Sequence, residues 1–160
     1  MSNSSDTGSE RGPLPGLLRP PLVFLSSILL GVIMNLIWPL PVGPPLLVPI
    51  GIALALAAVV LFSLSLREFR AAGTSVRGSE RTTTIVGTGP YRFSRNPIYL
   101  SFVTLQLGLA LSFNNVWLLI TLVPAAAFIA TMIIPREERF LERNFQTQYA
   151  DYKASVRRWL

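Results

Sequence analysis

The chain has 160 residues, of which 51% are hydrophobic and only 14% charged, with a formal net charge of +6; soluble domains carry about 25% charged residues. It contains no cysteine and no histidine, which excludes disulfides, Cys/His metal sites, cysteine nucleophiles and any Ser-His-Asp triad. No charge occurs from Pro20 to Leu66 or from Asn96 to Pro135, the pattern of an integral membrane protein.

In chain order, residues 1–20 are rich in Ser, Gly and Asp and read as a disordered cytoplasmic tail. Residues 21–160 read as a single membrane domain. Each uncharged stretch is about twice the 20 residues that a spanning helix needs. The first breaks at Pro39-Leu40-Pro41-Val42-Gly43-Pro44-Pro45, which cannot continue a helix, so spans are expected at 21–38 and 46–66. The second breaks at Asn114-Asn115, with spans expected at 97–113 and 116–134 and Pro135 closing the last. All basic and acidic residues lie in the tail, in 67–95 or beyond Pro135, and the two opposite loops carry none. The positive-inside rule then puts both termini and the 67–96 loop in the cytoplasm, the membrane being the cell membrane. The same one-sided charge accounts for the basic balance without a nucleic-acid partner.

The loop at 67–96 exceeds the roughly 2–8 residues of a simple helix connection. Thr82-Thr83-Thr84-Ile85-Val86 favours extended backbone, and Gly87-Thr88-Gly89-Pro90 favours a turn. Asn96-Pro97 then marks a helix start, with Asn as N-cap and Pro at the first helical position. The third span thereby presents free N–H groups that can hold a carboxylate. From 135 to 160 the pattern is amphipathic: Leu141, Phe145, Tyr149, Tyr152, Val156 and Trp159 fall within about 80° of arc at 3.6 residues per turn. Glu138 falls inside that apolar stripe and Glu137 at its edge. A carboxylate there needs a cationic or donor partner. The expected fold class is therefore all-α: four transmembrane helices plus a C-terminal amphipathic helix, with a partly extended cytoplasmic loop between the second and third spans.

The ordered set Gly89-Pro90-Tyr91, Arg95-Asn96-Pro97-Ile98-Tyr99, Glu137-Glu138 with Leu141, and Phe145, Tyr149, Tyr152 and Val156 resembles the isoprenylcysteine carboxyl methyltransferase and phospholipid methyltransferase superfamily. These are small membrane enzymes using S-adenosyl-L-methionine, and the likeness covers about 67–160. It implies a cofactor pocket at the cytoplasmic interface. Thr83, Thr84, Ile85, Val86 and Tyr91 would line its adenosine side, with Gly89 in the adjoining turn. Asn96, Pro97, Ile98 and Tyr99 would cap the methionine end, and Glu138 or Glu137 would take the ammonium. Arg95, Asn96 and Glu138 are the candidate catalytic residues, with no metal. The implied acceptor is a lipophilic molecule bearing a carboxyl, thiol or amine, entering laterally between helices.

Two positions depart from the pattern. The family usually has His where Asn96 stands, and prenylcysteine enzymes place an Arg where this chain has Ile133-Ile134. The alternative is a non-catalytic four-span scaffold or a small carrier. A proton-coupled carrier keeps an ionisable residue at mid-membrane, and no expected span holds one.

Overall fold

The computed structural model describes residues 20–73 and 84–160. The expected tail lies outside them except for Pro20, and so do Thr82 and Thr83. Among the described residues five α-helices form: α1 (Pro20–Ile37), α2 (Leu47–Ala71), α3 (Pro97–Ser112), α4 (Val116–Phe128) and α5 (Ile134–Ser155). Helices α1 and α2 are long and apolar enough to cross a membrane, as is the unbroken run Val116–Ser155. Helix α3 is apolar but shorter, at 16 residues. Helix α2 outruns its apolar stretch and carries Arg67, Glu68 and Arg70 on its last turns. Between α2 and α3 the expected extended stretch forms no strand among the described residues. Thr88 is extended (φ −104°, ψ 168°), and Gly89–Arg92 makes one 3-10 turn.

Pro135 does not close the fourth apolar segment. Helix α4 passes through a π turn at Ile129–Ile133 directly into α5, with Pro135 in its first turn. Proline lacks the N–H that an α-helix would return four residues back, and the wider turn absorbs that loss without ending the helix. The amphipathic segment is not one straight helix either. Gln146 adopts φ 38° and ψ −112° inside α5, a strained conformation for a residue with a side chain. The helix ends at Ser155, and Val156 turns extended (φ −126°, ψ 133°).

In a bilayer the helices gain little by hiding apolar surface from lipid, so small residues and polar contacts decide their packing. Where α2 crosses α3, a Cβ on Gly51 would lie 2.5 Å from the Ser112 backbone nitrogen, and one on Gly108 would lie 2.6 Å from that of Ala55. A Cβ on Gly31 of α1 would lie 2.8 Å from the Leu118 side chain and 3.1 Å from its Cα on α4. Gln106, fully buried on α3, donates to Ser27 Oγ of α1 (2.7 Å) and to the Leu118 carbonyl of α4 (3.0 Å). Both asparagines of the expected break serve it. Asn114 turns left-handed (φ 50°) and accepts from the Val42 and Gly43 amides, while Asn115 caps α4 by accepting from Trp117 N. At the charged end Phe24, Tyr99, Ile129, Ile133 and Ile134 form a buried cluster, with Trp159 packed against it.

Candidate functional site

The site is built where the start of α3 meets the first turns of α5. Pro97 opens α3 as expected, and Asn96 occupies the cap position, but its side chain makes no capping bond. Its Nδ2 instead donates to the Arg158 carbonyl at 3.0 Å. That carbonyl is within reach because the chain after Ser155 folds back alongside residues 94–96. The Asn96 side chain therefore does not cap the first N–H groups of α3.

Tyr99, one turn into α3, donates its phenolic O–H to Glu137 Oε1 at 2.7 Å. Burial pushes the Glu137 carboxyl up to about 7; the Tyr99 hydrogen bond pulls it down, and the neighbouring Glu138 adds to the rise. Among the described residues no cation lies within salt-bridge distance of Glu137.

Glu138 has different company. It is 6% exposed and pairs with two guanidinium groups. Arg95 Nη2 lies 3.2 Å from its Oε1, while Arg158 donates through Nε to Oε1 (3.1 Å) and through Nη2 to Oε2 (2.6 Å). The partner that the apolar stripe demands thus comes from within the chain. The carboxylate in turn raises the Arg158 guanidinium above its ordinary value. The Arg95 side chain is itself only 9% exposed, and among the described residues its Nε has no hydrogen-bond partner.

Tyr91 anchors the other flank. It is buried edge-on against Phe69, with ring centroids 5.2 Å apart, and its carbonyl accepts from Tyr152 Oη at 2.8 Å. Burial, with Tyr152, Glu137 and Glu68 nearby, holds its phenol protonated far above the usual range. Gly89 sits at φ +57°, a conformation that favours glycine, and a Cβ there would lie 2.8 Å from the Glu68 carboxylate and have to displace it. Thr88 Oγ1 also donates to Glu68. Val86 is buried, and Thr84 and Ile85 are half-buried. Beside this turn an open cleft of about 450 Å³ is lined by Leu61, Leu64 and Phe93 on its apolar side and by Glu68 and Arg92 on its polar side.

The structure thus joins Tyr99 to Glu137, Arg95 to Glu138, and Tyr91 through Tyr152 to α5. Asn96 touches neither acid. Thr83 lies outside the described residues. Glu68 and Arg158 join the site without a sequence signal of their own: one reads as a flanking charge after a span, the other as part of a solvated face.

The sequence profile of phospholipid methyltransferases matches residues 46–148. That region runs from just before α2 past the Gln146 kink and includes both acids, but neither α1 nor residues 156–160. No curated protein and no solved structure matches the chain.

Proposed function

The chain belongs to the phospholipid methyltransferase family, and on that premise we propose that it is an S-adenosyl-L-methionine-dependent methyltransferase acting on a lipophilic acceptor at the cytoplasmic face of the membrane. The Tyr99–Glu137 hydrogen bond carries this reading, because it joins the two halves of the signature into one site.

The residues fit the cofactor's amino-acid end, which presents one carboxylate and one ammonium. The uncapped N–H groups of α3 and the unpartnered Arg95 Nε are donors for the first. Glu137 suits the second: its Oε2 accepts no hydrogen bond among the described residues, and a cation beside it relieves the cost of its burial. Glu138 already has a guanidinium on each oxygen, so of the two acids Glu137 is assigned the ammonium. Tyr91, Val86 and Ile85 supply an apolar and aromatic wall for the adenosine.

The cofactor supplies an electrophilic methyl group. What this chain contributes is alignment and exclusion of water. Orientation of this kind is worth about 7–11 kcal/mol, and a carboxylate or thiolate acceptor needs nothing more. An ammonium acceptor must first lose a proton, for which Glu68 is the carboxylate lining the cleft. The open cleft suits an amphiphile: hydrocarbon against Leu61, Leu64 and Phe93, and a headgroup carrying both signs between Arg92 and Glu68.

Calorimetric titration of S-adenosylhomocysteine into detergent-purified protein tests the reading. Binding that Glu137→Gln abolishes supports it. No binding by a folded preparation supports the non-catalytic scaffold instead.

A further inference from the structure

Residues 156–160 follow α5 and lie beyond the matched region, yet they bond to the centre of the site at several points. The Arg95 amide donates to the Arg157 carbonyl at 2.9 Å. The Arg158 carbonyl accepts from Asn96 Nδ2 at 3.0 Å and from Ser94 Oγ at 3.3 Å. The Arg158 guanidinium grips both oxygens of Glu138, which also holds Arg95. Trp159 packs on the cluster that contains Tyr99.

We propose that Arg158 is a positioning residue, and that residues 156–160 form a clasp holding the Arg95-Asn96-Pro97 start of α3 in register with the acidic pair of α5. Two features favour this over a chance surface contact. Glu138 is buried, and a bidentate guanidinium fixes its orientation as a point charge cannot. The Arg95 side chain is 9% exposed, and its Nε is unpartnered among the described residues. The direction in which that donor points is therefore set by what grips the rest of its guanidinium: Glu138, held in turn by Arg158, and, at a long 3.5 Å, the Lys153 carbonyl. Loss of Arg158 would leave Glu138 one cation short and loosen the orientation in which that carboxylate holds Arg95.

For its ligand the inference rests on the methyltransferase reading; the clasp itself can be read without one. The full chain in detergent is compared as wild type, Arg158→Gln, Arg158→Lys and Arg157→Gln, the last being an exposed neighbour whose side chain the clasp does not use. Two quantities are measured: hydrogen exchange at the Arg95 amide without ligand, and affinity for S-adenosylhomocysteine. Arg158→Gln is expected to speed that exchange and to weaken binding about tenfold, the middle of the range for coupled residues in one ionic network. Arg158→Lys should fall between it and wild type, and Arg157→Gln should match wild type. Unchanged exchange in Arg158→Gln overturns the clasp, and faster exchange with unchanged affinity overturns its positioning role. If wild type binds nothing, the methyltransferase reading fails, and the exchange measurement still decides the clasp. Should Arg158→Gln not fold, Arg158→Lys decides: wild-type exchange and affinity there would show that charge alone suffices and overturn the role of the bidentate grip.

Discussion

Tyr99 and Glu137, 38 residues apart in sequence, share a 2.7 Å hydrogen bond in which the phenol donates and the carboxylate accepts. The bond ties the first turn of α3 to the first turn of α5 and makes the protonation of one carboxyl a property of the junction. Its consequences can be measured.

The first is a pH dependence. Glu137 holds its proton up to about 7, against an ordinary 4.5, and an ionised carboxylate is what attracts an ammonium. Affinity for S-adenosylhomocysteine should rise as pH increases through 7 and flatten in Glu137→Gln, as calorimetry between pH 6 and 8 would show. The ligand-free protein should behave oppositely. Between pH 4.5 and 7 the folded state binds more protons than the unfolded state, so stability falls as pH rises across that window. Glu137→Gln should remove the slope.

A second concerns the phenol. Tyr99→Phe deletes the one hydrogen bond that lowers the Glu137 pKa, so the binding midpoint should move to higher pH while the ring still fills its place in the core. A midpoint unchanged from wild type would separate Tyr99 from the titration.

A third concerns the α2–α3 crossing. An alanine at Gly51 or Gly108 would push its Cβ against backbone nitrogen at 2.5 or 2.6 Å, where no side chain can give way. Overpacking of this kind costs about 1–3 kcal/mol, to be seen as a lower unfolding midpoint in detergent micelles. Wild-type stability in both variants would mean that the helices are not so closely apposed.

A fourth concerns the histidine that the family usually carries. Asn96 donates to the Arg158 carbonyl, and an imidazole N–H can do the same. Asn96→His should therefore keep its fold and bind ligand, whereas Asn96→Ala, which has no donor, should bind more weakly.

Features set by short-range chemistry are legible in the sequence. At several ends marked by asparagine or proline the expected helix boundaries fall within a residue or two of the observed ones: Pro97 opens α3, and Asn114-Asn115 separates it from α4. The stripe likewise picks out Glu138 as the less exposed of the two acids. Features set by distant partners are not legible. Asn96 reads as a cap because nothing local shows that a carbonyl from residue 158 will compete for its amide. Arg158 reads as solvated because helical periodicity runs past Ser155, where the backbone leaves the helix. Pro135 reads as a terminator because the rule for α-helices does not foresee a π turn.

That turn also governs the phase of everything beyond it. Each residue advances an α-helix by about 100°, and the extra residue held at Ile129–Ile133 rotates the acidic pair relative to the apolar face of α4. Removing Thr131, which is exposed and bonds only back to Ala127 O, would leave the apolar helices able to insert yet swing Glu137 and Glu138 away from Tyr99 and Arg95. The apolar length that insertion needs and the helix phase that the site needs thus rest on different features of one continuous segment. A single residue works as the timing gear between them.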